Sequence, residues 1–144
     1  MTIRSSTAQW EGDLKAGKGT MTVGKGAYTG PFSFASRFEE GPGTNPEELI
    51  GAAHAGCFSM ALSNGLAKEG ATPKRVQTKA EVHLGPDPAG GAKISKIELT
   101  VDAEVAGIDK VKFDKIVEET KTGCPISKLL KGGAEITVKA TLKA

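Results

Sequence analysis

The two cysteines have the side chains in this sequence that are best suited to covalent chemistry. Cys57 stands in the apolar run "TNPEELIGAAHAGCFSMAL", Thr44 to Leu62, and Cys124 stands in "TGCPIS". A thiol can be a small packing residue, half of a disulfide or, as the thiolate, a nucleophile and redox centre. The residues around each thiol therefore have to be weighed.

The local sequence favours Cys124 as the more reactive thiol. Its sulfur is predicted at the start of a short helix, where the helix dipole favours the thiolate. Cys57 has no such help in mid-helix, and burial would raise its pKa, so inert apolar packing is an equally good interpretation of this residue. His54 lies three residues before Cys57 on the same helix face and could act as a base, but buried packing is favoured. His83 is interpreted as a surface residue, and no spacing of histidine and cysteine resembles a zinc site.

The central helix is the element that must position Cys57. Asn45 can cap it, Pro46 suits its first turn, and Glu47 is favourable near the positive end of the helix dipole. The predicted helix covers about residues 46–69 and ends at Gly70. Its apolar residues extend well beyond the single stripe of a surface helix, which indicates burial on several sides.

Strands and further helices are predicted on both sides of the central helix. Residues 1–36 form an N-terminal β region with short strands at Thr20 to Val23 and Pro31 to Phe34. Residues 74–144 hold a long antiparallel hairpin, two helices and a last strand. The hairpin strands are predicted at Val76 to Leu84 and Ile97 to Val105. Asp109 is predicted to cap the first of the two helices, which ends at Gly123. The short helix is predicted at Cys124 to Leu130 and the last strand at Glu135 to Leu142.

Segregated strands and helices predict an α+β fold in a single domain, residues 1–144. A helix that is apolar nearly all round needs cover beyond one sheet, and a second copy of this short chain could supply it. We therefore expect a homodimer.

Composition excludes several classes of protein. The net charge of +2 is small and the lysines are dispersed, so nucleic acid is not an expected partner. No segment has the length of a membrane span, and the start lacks the apolar core of a secretory signal, so we expect no membrane association and a cytoplasmic location. In a reducing cytosol, cysteines are more often free, metal-binding or redox-active than bridged.

The run "SRFEEGPGTNPEELIGAAHAGCFSMALSN" together with "TGCPIS" resembles the osmotically inducible protein C (OsmC) family of thiol peroxidases, which is related to the organic hydroperoxide resistance proteins. The resemblance implies an intertwined homodimer, with antiparallel sheets around long buried central helices, that reduces organic hydroperoxides and, more weakly, hydrogen peroxide. It implies that Cys57 is the peroxidatic nucleophile and Cys124 the resolving thiol, and that Arg37 and Glu47 activate the nucleophile. No bound cofactor is expected, and the reductant is expected to be an external, lipoyl-type dithiol.

The chemistry of these four residues agrees with that assignment. Arg37 would supply a permanent cation that lowers the pKa of Cys57, and Glu47 would hold the guanidinium in a two-pronged grip. Ten residues separate Glu47 from Cys57, about 15 Å along a continuous helix. Either the helix breaks near Gly51, or Arg37, on the loop before the helix, and Glu47 come from the other subunit, which is the arrangement we favour. Four apolar residues could line a substrate site or belong to the core: Leu49, Ile50, Phe58 and Met60.

Two other functions stay open at this stage. A non-catalytic ligand-binding or stress-related structural dimer would keep the fold and need no redox change at Cys57. A thiol-disulfide oxidoreductase would usually carry a C-x-x-C pair, which this sequence lacks.

Overall fold

The computed structural model describes residues 1–137 and 139–140. The chain divides into two compact units, each built from two segments: a first unit of Met1–Ala52 and Glu81–Glu98, and a second unit of Ala53–Ala80 and Leu99–Ala144. Helices and antiparallel strands are both present, so the predicted α+β class is confirmed. A single domain over residues 1–144 stays a prediction.

The first unit contains a three-stranded antiparallel sheet. Its strands are β1 (Ser6–Glu11), β2 (Lys18–Val23) and β3 (Tyr28–Phe32), and they lie in that order. Trp10 on β1 packs its ring against Phe32 on β3, with 5.3 Å between the ring centroids. The N-terminal β region was predicted, but β1 was not. The strand predicted at Pro31 to Phe34 instead begins at Tyr28 and ends at Phe32.

A short helix, α1 (Phe34–Phe38), follows the sheet and carries Arg37. Ser33 caps it by accepting a hydrogen bond from the Ser36 N–H, and the Ser36 hydroxyl accepts one from the Ser33 N–H at 2.8 Å. The prediction that Arg37 lies on a loop is wrong, because the residue belongs to this helix. The reciprocal cap is built from two serines here, without the glutamate or glutamine that usually marks this motif.

The central helix, α2 (Pro46–Lys68), is continuous over 23 residues. Asn45 Oδ1 accepts a hydrogen bond from the Glu48 N–H at 2.8 Å, and Gly70 takes the left-handed conformation just after the helix, with a φ of 78°. The predicted start, cap and end are therefore confirmed. There is no break at Gly51, so that route between Glu47 and Cys57 is excluded.

A long hairpin follows α2. Its strands are β4 (Arg75–Pro86) and β5 (Ala92–Glu104), which form a two-stranded sheet. The Asp87 N–H donates to the Gly91 carbonyl at 2.9 Å in the turn, and the Lys74 N–H donates to the Glu104 carbonyl at 2.8 Å at the open end. These two closing bonds agree with the predicted antiparallel pairing.

The second unit is completed by α3 (Lys110–Gly123) and α4 (Pro125–Leu130). Asp109 caps α3 by accepting from the Lys112 N–H, as predicted. The core of this unit consists of Phe58, Leu62 and Leu66 on one face of α2 and Ile116 on α3. Phe58 is only 2% exposed in this cluster, so it packs as a core residue of the single chain.

The predicted last strand is only partly covered by the structure. Residues 135–137 have no regular secondary structure, and Ile136 is exposed where the pattern predicted an inward side chain. In the described part of the chain, one sheet contains β1, β2 and β3 and the other contains β4 and β5. Residues 135–137 therefore lack the neighbouring strand that a β-strand requires. Val138 and residues 141–144 lie outside the described residues.

Candidate active site

The thiols of Cys57 and Cys124 are in contact within the second unit. Their Sγ atoms are 2.9 Å apart, and both cysteines are free. Cys57 is on α2, and Cys124 caps the N-terminus of α4 while its own N–H donates to the Thr120 carbonyl of α3. Cys124 is completely buried, whereas Cys57 is partly accessible. Their separation exceeds the S–S bond length of about 2.05 Å by less than about 1 Å, so the two thiols are placed to form a disulfide.

The surroundings of the two thiols shift their pKa values in opposite directions. Burial raises the pKa of Cys57, and the hydrogen bond and charge of Cys124 raise it further, against a smaller opposing effect of the Ile126 N–H. Burial also raises the pKa of Cys124, but hydrogen bonds from Cys57, from the N–H groups of Ser127 and Ile126 and from the Ser127 hydroxyl outweigh it and lower the pKa. Within one chain, the thiolate is therefore favoured at Cys124, as its local sequence predicted.

His54 and Ser127 lie next to the thiols. His54 is buried, and its Nε2 is 2.8 Å from the Ser127 hydroxyl oxygen. Burial lowers the pKa of His54, which keeps the ring neutral. Packing was the favoured prediction for His54, and Ser127 was not predicted as a site residue. The available signal was the position of Ser127, three residues after Cys124, where a side chain at a helix start can turn back to the capping residue.

Arg37 and Glu47 form an ion pair within the first unit. Arg37 Nε and Nη2 both donate to Glu47 Oε1, at 2.9 and 2.7 Å. The predicted pairing is present, although both donors converge on one carboxylate oxygen, and the buried Oε2 has no hydrogen-bond partner among the described residues. Arg37 Nη1 makes no hydrogen bond to the described part of the chain, and its side chain is 39% exposed. The guanidinium is thus oriented by Glu47 and keeps a donor free.

An apolar groove runs beside Arg37 in the first unit. It encloses about 290 Å³ and is lined by Trp10, Leu14, Phe32, Ser33, Phe34, Arg37 and Phe38. The predicted candidates for lining a substrate site were Leu49, Ile50, Phe58 and Met60 of α2, and none of them borders this groove. Aromatic residues of β1, β3 and α1 supply its apolar surface instead, while α2 contributes Glu47, which pairs with Arg37.

The described residues contain no metal-binding cluster and no membrane-spanning helix. Within residues 1–137 and 139–140, no group of three or more histidine, cysteine, aspartate and glutamate side chains is arranged to hold a metal ion. In the same part of the chain, no helix has the length and apolarity needed to cross a membrane.

The fold and the thiol pair define a class of α+β proteins in which a long helix presents one cysteine to a second cysteine at the start of a short helix. The chain belongs to the OsmC family, because the family model described as "OsmC-like protein" matches residues 39–139. It is 51% identical to "Peroxiredoxin OsmC" of Escherichia coli over 146 aligned positions that span all of both chains. It is 31% identical to "Organic hydroperoxide resistance protein OhrB" of Bacillus subtilis over 67% of this chain and 69% of that protein.

Solved structures of related proteins share the fold. The crystal structure of an organic hydroperoxide resistance protein OsmC from Legionella pneumophila aligns with a TM-score of 0.69 and 22% identity, over 92% of this chain and 93% of that one. At this identity the likeness supports the fold alone, and it agrees with the antiparallel α+β architecture described above.

Proposed function

We propose that this protein is a thiol-dependent peroxidase that reduces organic hydroperoxides and, more weakly, hydrogen peroxide, in defence against oxidative or osmotic stress. The observation that carries the proposal is the contact between the sulfur atoms of Cys57 and Cys124. It gives a peroxidatic thiol the partner that it needs to return from sulfenic acid to the thiol through a disulfide. The full-length similarity to a protein named as a peroxiredoxin supports the same activity.

The reaction has two chemical steps on the protein. The Cys57 thiolate attacks the distal peroxide oxygen, the O–O bond breaks, and the alkoxide takes a proton and leaves as an alcohol, so Cys57 becomes a sulfenic acid. Cys124 then displaces the sulfenic oxygen as water and forms the Cys57–Cys124 disulfide. We assign the first step to Cys57 because it is the more accessible of the two cysteines.

The first step requires a cation beside Cys57, and Arg37 is the residue proposed to supply it. In one chain the pKa of Cys57 is raised by burial and by Cys124, so its own surroundings oppose the thiolate. A permanently charged guanidinium would reverse this effect and donate hydrogen bonds to the peroxide oxygens. The hydrogen bonds of Arg37 to Glu47 fix its orientation, as that role demands.

We propose that Arg37 and Glu47 act on the Cys57 of the partner subunit. Helix α2 runs without interruption through Glu47 and Cys57, which places about 15 Å of helix axis between the two residues. A contact between them through the turns of this helix is excluded. Each site would therefore combine Cys57 and Cys124 of one chain with Arg37 and Glu47 of the other.

A homodimer is supported by the exposed face of α2. In the single chain this helix leaves a line of apolar and small residues in solvent, formed by Ala52, Ala53, Gly56 and Met60, and Met60 is 78% exposed. Residues at this spacing share one face of a helix, and small residues allow a second helix to approach closely. A second copy of α2 would bury this face.

The substrate and the reductant follow from the accessibility of the site. The apolar groove beside Arg37 has the size and lining to hold the hydrocarbon part of an alkyl or acyl hydroperoxide, with the peroxide end at the guanidinium. An external dithiol, of the lipoyl type that the family resemblance suggests, would attack the disulfide at Cys57, the more accessible of the two cysteines, and release Cys124. We propose a cytoplasmic location, where two neighbouring thiols stay reduced between turnovers.

A steady-state assay with tert-butyl hydroperoxide and a dithiol tests the function against its alternatives. A peroxidase consumes peroxide and dithiol in equal amounts and depends on Cys57. A structural or ligand-binding dimer consumes neither. A thiol-disulfide oxidoreductase consumes dithiol with a protein disulfide as acceptor but not with peroxide, which would contradict the proposal.

A further inference from the structure

Four side chains in the second unit form a series that joins α2 to the start of α4. His54 Nε2 lies 2.8 Å from the Ser127 hydroxyl oxygen, and the Cys124 sulfur lies 2.9 Å from the Cys57 sulfur. Ser127 and Cys124 stand three residues apart at the N-terminal end of α4, and the Ser127 hydroxyl helps to lower the pKa of Cys124. His54 is only 7% exposed, and among the described residues its buried Nδ1 has no hydrogen-bond partner. The proposed chemistry uses the two cysteines of this series and leaves His54 and Ser127 without a role.

We propose that His54 and Ser127 are positioning residues for the disulfide-forming step, in which the Ser127 hydroxyl, held by His54, orients the Cys124 thiolate toward the oxidised Cys57. This inference rests on the proposed function, because it takes Cys124 as the resolving thiol. It adds two residues that act only on Cys124 and only after the peroxide has reacted.

The single hydroxyl proton of Ser127 determines which group donates and which accepts each hydrogen bond in the proposed series. Ser127 has a single hydroxyl proton, and when that proton is donated to the Cys124 thiolate, the oxygen is free to accept from His54 Nε2–H. In this tautomer Nδ1 is an unprotonated acceptor. The opposite tautomer would bury an Nδ1–H donor without a partner, and unpaired buried donors are rarer than unpaired acceptors. The pKa of His54 is lowered by burial, so the ring stays neutral in this role.

The step is balanced without any further reactant. The Cys124 thiolate attacks the sulfur of the Cys57 sulfenic acid, an S–S bond forms, and the S–O bond breaks. The leaving hydroxide takes up the proton that Cys124 released earlier to solvent and becomes water. Cys124 is oxidised by one electron equivalent and the sulfenic sulfur of Cys57 is reduced by one, so both end at the level of the disulfide.

In the proposed role, a hydrogen bond from the Ser127 hydroxyl would stabilise the negative charge of the Cys124 thiolate and orient its sulfur. A hydroxyl that donates to a thiolate favours the anion, and a second donor behind it strengthens the bond by polarising the oxygen. The same bond would limit rotation of the Cys124 side chain, whose side-chain hydrogen-bond partner among the described residues is the Cys57 thiol, a weak one. Loss of either donor should slow attack by Cys124 without removing the thiol.

The test uses the full-length protein and two matched pairs of variants. Ser127→Ala removes the hydroxyl and Ser127→Thr keeps it, while His54→Leu removes the donor and His54→Gln keeps an N–H at similar reach. Ser59→Ala is the control, because Ser59 lies on α2, as His54 does, and its hydroxyl makes a 2.7 Å hydrogen bond to the Thr78 hydroxyl. Each protein receives one equivalent of tert-butyl hydroperoxide. Samples are quenched over time with a dione that traps sulfenic acid, and mass spectrometry gives the rate at which the Cys57 sulfenic acid becomes the disulfide.

We expect Ser127→Ala and His54→Leu to form the disulfide about 10-fold more slowly than the native protein, as loss of a hydrogen bond to a charged group predicts. Ser127→Thr and His54→Gln should stay within about threefold of the native rate on the same scale, and Ser59→Ala should match it. In a Cys57→Ser background, the pH midpoint of Cys124 ionisation, followed by the ultraviolet absorbance of the thiolate, should move upward in Ser127→Ala but not in Ser127→Thr, which loss of packing alone would not cause.

Equal disulfide rates in Ser127→Ala, Ser127→Thr and the native protein would overturn the inference. So would equal losses in both members of a pair with no change in the midpoint of Cys124 ionisation, since this would indicate a purely structural effect. A native protein that never oxidises Cys57 would instead refute the peroxidase function, and the inference with it. The two failures are distinguished by whether the native protein yields the sulfenic acid.

Discussion

The Cys124 sulfur lies 2.9 Å from the Cys57 sulfur, although the two residues are 67 positions apart in the sequence. The turn between α3 and α4 places Cys124 against the middle of α2, where it is fully buried while Cys57 keeps access to solvent. The two thiols are equivalent in type but not in setting. Their contributions to turnover are expected to differ accordingly.

Substitution of each cysteine should separate the two chemical steps. Cys57→Ser is expected to abolish peroxide consumption, because no nucleophile is left at the accessible position. Cys124→Ser should react once and stop at the sulfenic or over-oxidised form of Cys57, because the condensing thiol is gone. Single-turnover assays with mass analysis of the product measure both outcomes. A Cys57→Ser protein that consumed peroxide at the native rate would show that the roles are assigned wrongly.

Removal of the Arg37 cation should shift the pH dependence of Cys57 oxidation. Burial and Cys124 raise the pKa of Cys57 in the single chain, so without the guanidinium less thiolate is present at neutral pH. We expect Arg37→Ala to slow the first step by about 10- to 100-fold at neutral pH, with partial recovery as the pH rises. Stopped-flow rates across a pH series measure this effect.

Arg75→Ala is the matched control for that experiment. Arg75 is also an arginine paired with carboxylates, bonding Asp102 at 3.0 Å and Glu104 at 3.1 Å in the hairpin. Its removal should leave the rate and its pH profile unchanged. Equal effects of the two substitutions would mean that Arg37 acts through general electrostatics or folding rather than on the thiol.

The parts of the fold that the sequence predicted are those with strong local signals. Asn45, Pro46 and Gly70 determine where α2 begins and ends, and Asp109 does the same for the start of α3. These signals depend on backbone hydrogen bonds within a few residues. Strand β1 and helix α1 were missed, since β1 lacks a clear alternation of buried and exposed positions and α1 is capped by an uncommon pair of serines.

The site was predictable only in part for a similar reason. The Arg37–Glu47 pair and the roles of both cysteines came from a resemblance to a family, whereas the residues alone left Cys57 as packing or nucleophile. The contact of His54 with Ser127 joins residues 73 positions apart and leaves no pattern in one sequence. Long-range contacts between polar side chains depend on the packing of α2 against α4, which local periodicity does not determine.

A bulky side chain at Gly56 should prevent dimer formation. In the single chain nothing lies within 4 Å of a Cβ placed at Gly56, and leucine is a better helix former than glycine, so an isolated chain would tolerate Gly56→Leu. In the proposed dimer this face of α2 packs against the partner, and the leucine would hold the helices apart. Analytical ultracentrifugation of Gly56→Leu should therefore show loss of the dimer, together with a lower free energy of unfolding.

An exposed position elsewhere provides the control for the dimer. Glu118→Leu adds the same side chain at an exposed site on α3 and should leave the native protein dimeric. The native protein is expected to be an obligate dimer with a large apolar interface. A folded native monomer at micromolar concentration would contradict the proposal.

Truncation of the core should be costly in the second unit. Leu62 is completely buried between Phe58, Leu66 and Ile116, so Leu62→Ala is expected to lower the free energy of unfolding by about 2–5 kcal/mol. Leu129→Ala, at a position that is 46% exposed, should cost less than about 1 kcal/mol. Denaturant titrations at one fixed protein concentration compare them, because the stability of a dimer depends on concentration. Equal losses would mean that Leu62 is not part of the main core.

Complementation between two inactive variants tests whether the site is shared between subunits. Cys57→Ser lacks the nucleophile and Arg37→Ala lacks the activating cation, so each homodimer should be inactive or nearly so. The two proteins carry different affinity tags, are unfolded and refolded together, and the mixed dimer is isolated through both tags in sequence. In the shared arrangement, one site of the mixed dimer loses both groups, while the other combines an intact Cys57 with an intact Arg37 from the partner.

The mixed dimer should therefore regain about half of the native activity per dimer, since one of its two symmetry-related sites is complete. If Arg37 and Glu47 instead act on the Cys57 of their own chain, no site is complete and the mixed dimer stays inactive. A mixed dimer of Cys57→Ser with Arg75→Ala serves as the positive control, because it keeps one complete site in either arrangement. An active control beside an inactive test dimer, with both compositions verified by mass, would place all four residues in one chain and refute the shared site.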